Sequence, residues 1–544
     1  MKRTLLASAL LGMTMTAVAQ ESVRMVVTHK DGTQEVVTSK SNAFDYENGE
    51  VKFERDITVS TPSKKPSLYK KGRGATPSFS GKSFLINASS SANANSSYTP
   101  NDEFFDEQIH WLPSSDESPS LNNVLASVQR LSPLRRPVIG VVDSGFYGHP
   151  DLIYADGYSF STIGDEERSE GFFLDEQYNG SPEDRILCSV HGTGVAAVAA
   201  ATRDNNIGFA GIVDADLIAS RAMNCGAGFL HDSSDAVLWH IGEEVEGVRA
   251  VKAKADVINM SLGGEVDHCP DFMESAINKA TEANVPVVVS VGNDQRDASG
   301  FTPANCAGSI TVAAATTEGD LFPSSNYGTA IDIAALGEDV ASATEYPDGI
   351  GWWEESSFAT PIVAGVIANV VSEYDSVTVD EIKFFLSVTA TPFAAGQCDD
   401  SNLCGAGILD ANAFAKAVKQ FKNEETLVLT PALNNTELCD KSLYLTDDND
   451  KARLCETYEL VLPEHQSNRD DIRFEVIAFE KDGSMQHGNG TLALSSTTNK
   501  LLVSTLDTDS YDYGVRMCNA ERCYGNASVK ITDKSADKPA ICND

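Results

Sequence analysis

Three short segments of the sequence each carry a side chain suited to nucleophilic catalysis. Asp143 follows the apolar run Val138–Val142, His191 begins a His-Gly-Thr-Gly motif, and Ser357 precedes a long apolar stretch. A serine hydroxyl becomes a strong nucleophile when a histidine accepts its proton and a carboxylate orients that histidine. The order Asp, His, Ser is one of three chain orders in which this triad occurs, and no Gly-x-Ser-x-Gly elbow surrounds Ser357. The segments therefore predict a Ser–His–Asp triad.

Each of these residues also has a plainer interpretation when it is taken alone. Asp143 suits a turn, a single histidine is usually an ordinary surface or core residue, and Ser357 suits the cap of a helix. A serine at a helix start also lies beside unpaired backbone N–H groups, which would stabilise an oxyanion. We expect His191 at the start of a helix as well, with its ring at the exposed end.

The segments that must position these side chains alternate between apolar strands and helices. Strands are predicted at Val138–Val142, Asp256–Met260, Pro286–Val291, Ser309–Ala314 and Ile331–Ala334, and helices at 192–201, 232–248, 271–283, 358–373 and 379–387. The strands are continuously apolar, which is typical of strands covered on both faces. We therefore expect an α/β fold with a parallel sheet and helices on both of its faces. Functional groups should then collect at the carboxyl ends of the strands.

Composition divides the chain into four parts. Residues 1–19 have a basic start, an uncharged apolar run and a small-x-small end, which is typical of a secretory signal peptide. Residues 20–97 end in a Ser-, Lys- and Gly-rich stretch; residues 20–100 carry 11 basic and 8 acidic side chains, against 28 and 71 in residues 101–544. Residues 98–420 hold the α/β pattern. In residues 424–544, alternating segments such as Thr457–Leu462, Arg473–Ala478 and Tyr511–Cys518 predict an all-β sandwich.

Charge and composition exclude several classes of function. The chain has 41 basic and 79 acidic side chains, a net charge of −38, which is unfavourable for binding the phosphates of nucleic acids. Hydrophobic residues make up 42 % and charged residues 22 %, which excludes a wholly disordered chain. After the first 19 residues, no uncharged apolar run is long enough to span a membrane. We expect a soluble, secreted monomer, and disulfides among its 11 cysteines.

The three motifs taken as a set resemble those of the subtilisin-like serine proteases (subtilases), and the resemblance covers roughly residues 98–420. The stretch Val-Ile-Asn-Met-Ser-Leu-Gly-Gly from Val257 resembles the substrate-binding strand of the family, and Val-Val-Ser-Val-Gly-Asn from Val288 resembles its oxyanion-hole segment. The resemblance implies a serine endopeptidase that acts on proteins and peptides through an acyl-enzyme on Ser357.

The same resemblance implies a role for each matched residue. Asp143 would orient His191, which would take the proton of Ser357 and later donate it to the leaving amine. The Asn293 amide and the Ser357 backbone N–H would hold the oxyanion. The residues expected to flank a bound peptide are Gly226, Ala227, Gly228, Ser261, Leu262, Gly263 and Gly264.

A structural calcium site is implied by a further match. Tyr98-Thr99-Pro100-Asn101-Asp102 is similar to the mature N-terminus of thermitase-like subtilases, whose aspartate binds calcium. The ligands implied for this chain are side-chain or backbone oxygens of Asp102, Asp151, Arg203, Asn205, Ile207 and Phe209. Oxygen ligands from distant segments suit Ca²⁺, although a solvated acidic loop is the plainer interpretation.

The resemblance also implies a propeptide in residues 20–97, which would assist folding, occupy the active site and then be removed near Tyr98. Its basic character opposite an acidic catalytic domain would favour their association. Resemblance to extracellular bacterial subtilases implies the disulfides Cys188–Cys225, Cys269–Cys306 and Cys398–Cys404. In the tail, Cys439–Cys455 and Cys518–Cys523 are expected because these cysteines are neighbours in sequence, which leaves Cys542. The stretch that ends at Asn519 resembles a late strand of a fibronectin type III domain.

The sequence departs from the family pattern just before Ser357, where Glu355-Ser356 replaces Gly-Thr. Glu355 would place a carboxylate beside the active centre, where it could repel acidic substrates or perturb His191. One alternative function is a non-catalytic binding protein with the same fold, which the loss of Ser357, His191 or Asn293 would support, and none of these is lost. Another is a processing protease selective for basic residues, which Asp294 and Glu355 keep open.

Overall fold

The computed structural model describes residues 23–61 and 67–70, residues 98–422, and six strands between residues 457 and 531, with short gaps in the first and third of these ranges. The strands are β1 (Val23–His29), β2 (Gln34–Ser39), β3 (Tyr46–Glu47), β4 (Val51–Arg55), β5 (Thr58–Ser60), β6 (Ser67–Lys70), β7 (Val138–Asp143), β8 (Tyr154–Ser159), β9 (Asp216–Arg221), β10 (Met223–Asn224), β11 (Ala227–Phe229), β12 (Val257–Met260), β13 (Gly264–Glu265), β14 (Val287–Ser290), β15 (Phe301–Thr302), β16 (Ile310–Ala315), β17 (Ile333–Leu336), β18 (Val340–Ala343), β19 (Gly349–Trp353), β20 (Thr457–Val461), β21 (Arg473–Ala478), β22 (Leu492–Ser495), β23 (Lys500–Ser504), β24 (Tyr511–Cys518) and β25 (Cys523–Ile531). The α-helices are α1 (Val124–Arg130), α2 (Pro182–Ala200), α3 (Leu230–His240), α4 (Asp271–Glu282), α5 (Ser356–Glu373), α6 (Val379–Thr389) and α7 (Ala411–Lys422).

A seven-stranded sheet lies at the centre of the third range. Its strand order is β17-β16-β14-β12-β7-β9-β8, and every neighbouring pair is parallel. The order reverses at β7, because the chain continues to β8 and β9 on one side before it reaches β12 on the other. Such a reversal opens a crevice at the carboxyl ends of the strands, and Asp143 is the last residue of β7.

Helices cover both faces of this sheet. Ile139 and Val141 of β7 are buried in the core that contains α2 and α5, whereas Val142 is buried in the core that contains α3 and α4. Gly140 of β7 allows α3 to pack closely, since a Cβ at this position would lie 1.8 Å from His240 Nδ1. The α/β fold class predicted from the continuous apolar runs is confirmed.

Among the described helices, only α5 is long and apolar enough to cross a membrane by length and composition. However, 94 % of α5 is buried inside the protein. This burial is typical of the central helix of a folded core, so the apolar character of α5 is explained by packing.

Two of the predicted helices differ from the structure by more than two residues at one end. The helix predicted at 192–201 begins at Pro182, so the expectation that His191 starts a helix and has an exposed ring is wrong. His191 lies inside α2 and is only 6 % exposed. The small-residue pattern after His191 did not reveal the earlier turns, which carry charged residues. The helix predicted at 232–248 ends at His240, and Gly242 follows with φ +80°, a conformation that glycine adopts readily at helix ends.

The N-terminal range forms a small antiparallel sheet and two strands that pair with the rest of the chain. The sheet has the order β2-β1-β4-β3. Strand β5 pairs with β11, and β6 pairs with β19, both in antiparallel fashion. The N-terminal residues are therefore held against the part of the chain that contains the α/β core.

The described residues beyond 456 form two three-stranded antiparallel sheets, β20-β23-β22 and β21-β24-β25. The alternating segments predicted at Thr457–Leu462, Arg473–Ala478 and Tyr511–Cys518 coincide with β20, β21 and β24 to within one residue. The packing of the two sheets into a sandwich stays a prediction.

Two of the expected disulfides lie in the described part of the chain. Cys269 is bonded to Cys306, and Cys398 to Cys404. The first bond ties the segment that precedes α4 to the loop after β15. The backbones of Cys518 and Cys523 face each other in register, but their side chains, like those of the pairs Cys188–Cys225 and Cys439–Cys455, lie outside the described residues.

Candidate active site

Asp143 and His191 meet at the carboxyl end of the central strand β7. Asp143 Oδ1 lies 2.8 Å from His191 Nδ1, and both side chains are buried. The same carboxylate oxygen accepts hydrogen bonds from the backbone N–H of Ser144 at 2.7 Å and from its hydroxyl at 3.1 Å. Because an ionised carboxylate can only accept, Nδ1 carries the proton of a neutral His191. His191 Nε2 then has a free lone pair and can act as a base.

Ser357 is the second residue of α5, as the sequence predicts for a serine at a helix start. Ser357 Oγ and His191 Nε2 are both buried, and neither has a hydrogen-bond partner within the described ranges. The Phe358 ring packs edge-on against His191 with centroids 5.5 Å apart, which places the start of α5 beside the histidine. Buried polar atoms rarely lack a hydrogen-bond partner. The two atoms are therefore candidates for a catalytic hydrogen bond, which often forms only when substrate is bound.

The two glycines that follow His191 allow α2 to approach its neighbours. A Cβ on Gly192 would lie 2.4 Å from the carbonyl oxygen of Gly145, in the turn that follows Asp143. A Cβ on Gly194 would lie 3.0 Å from the Trp353 ring. Close packing of the His-Gly-Thr-Gly motif therefore sets the separation between the helix that carries the histidine and the strand that carries the aspartate.

Asn293 follows β14 and contacts the residue before Ser357. Asn293 Oδ1 accepts hydrogen bonds from the Ser356 backbone N–H at 2.9 Å and from the Ser356 hydroxyl at 2.7 Å. Since a backbone N–H only donates, the acceptor is the amide oxygen, and Asn293 Nδ2 remains as a donor. The Ser357 N–H lies in the first turn of α5, where N–H groups have no partner within the helix. Sequence reasoning noted Ser356 only as a departure from the family pattern and missed this contact.

Glu355 has an unusual backbone conformation for a residue with a side chain. Its φ is +84°, a value that glycine adopts freely and that costs other residues about 1 kcal/mol or more. The side chain is buried, and Oε1 accepts a hydrogen bond from the Ser324 hydroxyl at 3.3 Å. The family preference for glycine at this position thus has a backbone explanation, and the carboxylate contacts the loop that contains Ser324.

The residues predicted to flank a bound peptide lie on two edges, and the first edge, residues 226–228, is occupied by residues of the same chain. Strand β5 pairs antiparallel with β11, and Val59 lies opposite Gly228. The Thr61 N–H donates to the carbonyl oxygen of Gly226 at 3.1 Å. Residues 226–228 therefore form an edge that pairs with an extended segment of the same chain through main-chain hydrogen bonds.

The second predicted edge lies on the opposite side of β5. Ser60 and Gly263 exchange two main-chain hydrogen bonds, of 2.8 and 3.1 Å. A Cβ on Gly264 would lie 2.6 Å from the carbonyl oxygen of Thr58. Ser261 is placed differently, because its hydroxyl donates to the backbone carbonyl of Ser357 at 2.8 Å, and Leu262 is buried in the core. Residues 58–61 thus lie between two edges as a middle strand.

Asp102, Asp151 and Asn205, three of the predicted calcium ligands, meet at the loop 203–209. Asp102 accepts hydrogen bonds from two backbone N–H groups of this loop at 3.0 and 3.3 Å. Asp151 accepts from Asn205 Nδ2 at 2.7 Å and from the Phe209 N–H at 2.8 Å. The loop therefore wraps around both carboxylates.

Asp102 and Asp151 could supply two carboxylate oxygens to a calcium ion at this loop. Burial raises the pKa of Asp151 to about 6 and also raises the pKa of Asp102. The one basic side chain of the loop, Arg203, instead donates to the carbonyl oxygen of Ile212 at 3.4 Å. The described residues contain no group of three His, Cys, Asp or Glu side chains that could hold a metal. The predicted site would therefore need backbone oxygens of the loop, such as those of Arg203, Ile207 and Phe209, which Ca²⁺ accepts.

An Asp–His pair at the carboxyl end of a parallel strand, with a buried serine at the start of a helix that contacts the histidine, is typical of one class of serine peptidases. Residues 135–407 match the subtilase family, and the chain belongs to that family.

Several known proteins are similar to this chain over the same region. The "Extracellular protease" of Xanthomonas campestris pv. campestris is 36 % identical over 301 residues, which are 52 % of this chain and 51 % of the relative. The "Thermostable alkaline protease" of Halalkalibacterium halodurans is 33 % identical over 274 residues, 49 % of this chain and 66 % of the relative. A solved structure of the proteases from Pseudoalteromonas arctica covers 59 % of this chain and 100 % of its own, with 31 % identity and a TM-score of 0.51. The chain spans about half the length of the Xanthomonas relative.

Proposed function

We propose that this protein is a secreted serine endopeptidase that hydrolyses peptide bonds in proteins, with Ser357 as its nucleophile. The observation that carries this proposal is the 2.8 Å contact between Asp143 and His191. It lies beside the buried atoms His191 Nε2 and Ser357 Oγ, which have no hydrogen-bond partner among the described residues. The relatives named as extracellular proteases support the same activity and the same location.

The residues of the site would act in two half-reactions. Ser357 Oγ attacks the carbonyl carbon of the scissile bond while His191 Nε2 takes its proton. Asn293 Nδ2 and the Ser357 N–H donate hydrogen bonds to the oxyanion of the tetrahedral intermediate. His191 then gives the proton to the leaving amine, which leaves an acyl-enzyme, and a water molecule activated by His191 releases the acid and restores Ser357.

The proposal is tested by covalent labelling of the nucleophile. Phenylmethylsulfonyl fluoride should abolish hydrolysis of unfolded casein and add one sulfonyl group, which mass spectrometry should locate on Ser357. Only an activated serine reacts in this way, so Ser376, which is exposed, should stay unlabelled. Unimpaired hydrolysis after treatment, or labelling at another residue, would contradict the assignment.

Residues 20–97 are proposed to be a propeptide that blocks the active site until it is removed. The main-chain hydrogen bonds of residues 58–61 with Gly226 and Gly263 support this proposal, because they use the edges expected to hold a substrate. A segment seated there excludes other peptides.

Calcium is proposed to stabilise the loop 203–209 and the residues that follow Tyr98. A bound ion would compensate the buried charges of Asp102 and Asp151. Chelation by EDTA should lower the melting temperature of the mature protein by several degrees, and added Ca²⁺ but not Mg²⁺ should restore it, because Mg²⁺ demands a smaller and more regular site. An Asp151→Asn variant should show a smaller response. A melting temperature that is insensitive to EDTA would exclude the site.

A further inference from the structure

We propose that the mature enzyme binds an arginine side chain of its protein substrate in a pocket formed by Thr162, Phe229 and Asp232. This inference rests on the proposed peptidase function and on the proposed removal of the N-terminal segment. The pocket lies beyond the two edges at residues 226–228 and Gly263. Its ligand would be an arginine several residues ahead of the cleaved bond.

In the full-length chain the pocket holds the guanidinium of Arg24. Nη1 of Arg24 donates to Thr162 Oγ1 at 2.6 Å, and Nη2 donates to Asp232 Oδ1 at 3.3 Å. The guanidinium carbon lies 4.1 Å from the centre of the Phe229 ring. Two acceptors on separate N–H groups and an aromatic face suit a planar guanidinium better than an ammonium. The pocket is therefore selective for arginine over lysine.

Contacts within residues 98–422 keep the pocket in place when Arg24 leaves. Asp232 Oδ2 accepts hydrogen bonds from the Thr162 backbone N–H at 2.9 Å and from the Thr162 hydroxyl at 2.8 Å. Because the hydroxyl proton is used for this bond, the hydroxyl oxygen remains as an acceptor for the ligand. Phe229 is the last residue of β11 and directly precedes α3, so these two elements fix its position.

The departure of Arg24 leaves the pocket short of positive charge. Arg168 pairs with Asp232 at 3.3 Å and with Asp235 at 2.5 Å. Asp56, the other carboxylate that pairs with Arg24, leaves with the same segment. Two carboxylates then share the single guanidinium of Arg168. A carboxylate shielded from water is stabilised by a paired cation, so the pocket favours a new guanidinium.

The main chain beside the pocket shows which part of a substrate reaches it. Thr58 lies opposite Phe229 in the pairing of β5 with β11. Asp56 precedes Thr58, and its Oδ2 lies 2.6 Å from Nε of Arg24. A peptide that occupies the same edge through main-chain hydrogen bonds would carry a side chain at the position of Asp56. Because an arginine side chain is longer than that of aspartate, its guanidinium would reach the place that Arg24 leaves.

The direction of this path places the pocket ahead of the cleaved bond. As residues 58–61 advance, their neighbour on the second edge changes from Gly264 to Gly263. The next residues in this direction lead to Ser261, whose hydroxyl donates to the backbone carbonyl of Ser357. A substrate on the same path thus passes the pocket before it meets the nucleophile.

The test moves one arginine along quenched fluorescent peptides that otherwise contain no basic residue. The arginine stands four, five, six, seven or eight residues ahead of the cleaved bond, and kcat/KM of the mature enzyme is measured. We expect kcat/KM to rise roughly tenfold at one position or at two adjacent positions, which is the effect of hydrogen bonds to a charged group. Citrulline, which has the same shape without the charge, and lysine should give little of this rise at the same position.

Substitutions in the pocket separate this site from a general attraction to an acidic protein. Asp232→Asn should abolish the preference for arginine over citrulline. Phe229→Leu should reduce it, because leucine stays apolar but has no aromatic face, and this second variant keeps the test open if Asp232→Asn fails to fold. Asp271→Asn is the matched control, since Asp271 is an exposed carboxylate at the start of α4, and it should keep the full preference.

The outcomes distinguish this inference from the peptidase function itself. Cleavage that is insensitive to arginine, or equally enhanced by arginine at every position, would overturn the pocket and leave the peptidase function standing. A preference that Asp232→Asn retains would also overturn it. Calorimetry with mature enzyme treated with phenylmethylsulfonyl fluoride, and peptides that end ahead of the cleaved bond, measures binding without catalysis. If no peptide is cleaved, the peptidase function fails, and equal affinity for arginine and citrulline peptides would then reject the pocket separately.

Discussion

Replacement of Ser357 by alanine is expected to lower kcat on protein substrates by roughly six orders of magnitude, because the nucleophile is removed and only binding and oxyanion stabilisation remain. The variant should fold normally, since Ser357 Oγ makes no hydrogen bond to any described residue. Casein hydrolysis measures the loss of activity. The mass of the secreted variant measures a second effect. A precursor that matures by its own activity cannot do so without its nucleophile, so the variant should keep residues 20–97.

A matched substitution separates loss of the nucleophile from a general effect of removing a hydroxyl. Ser376 follows α5 and is exposed, so Ser376→Ala should retain full activity and normal maturation. If Ser357→Ala kept more than about one hundredth of the activity, Ser357 would not be the nucleophile. An inactive variant whose melting temperature is also lowered by many degrees would point instead to a structural defect.

The fold class and the pair Asp143 and His191 could be predicted, because each depends on a short continuous stretch of sequence. The continuous apolar runs identified five strands of the parallel sheet, and Asp143 ends one of them. His191 was found by its motif, but its place inside α2 was not, because the first turns of that helix carry charged residues that no periodic pattern marks. The position of Ser357 at a helix start followed from the apolar stretch after it.

Contacts between distant parts of the chain could not be predicted in this way. Ser356 and Asn293 are 63 residues apart, and the sequence around neither residue indicates the other as its partner. The pairing of β5 with β11 and of β6 with β19 depends on backbone edges, which have no sequence signature of their own. Family resemblance supplied the expectation that the N-terminal segment occupies the active site, but not the strands that hold it there.

Replacement of Arg24 by methionine is expected to weaken the hold of the N-terminal segment on the rest of the protein by roughly a hundredfold. Arg24 Nε lies 2.6 Å from Asp56 of its own segment, and its Nη2 lies 3.3 Å from Asp232 of α3. Its guanidinium also stacks over the Phe229 ring at 4.1 Å. Both carboxylates are fully buried, and loss of one partner from a buried pair costs about 3 kcal/mol or more.

The rate at which activity appears in the full-length chain measures this effect. The Arg24→Met chain should become active sooner than the wild-type chain, because a weakly held segment leaves faster after it is cut. Lys52→Met is the matched control, since Lys52 pairs with Asp271 at a more exposed position of the same interface and should change the rate little. Asp232→Asn tests the contact from the other side if Arg24→Met fails to fold. Equal rates for Arg24→Met and Lys52→Met would contradict the prediction.

A change in salt concentration distinguishes the contribution of the buried Arg24 contacts from that of the general attraction between a basic segment and an acidic protein. Attraction between exposed charges is screened when the ionic strength rises from about 0.1 to 1 M. The contacts of Arg24 with Asp56 and Asp232 are nearly shielded from solvent and should persist. We therefore expect the wild-type lag to shorten only slightly in high salt, and the difference between wild type and Arg24→Met to remain. A lag that disappears in salt would show that diffuse charge, and not the buried guanidinium, keeps the segment in place.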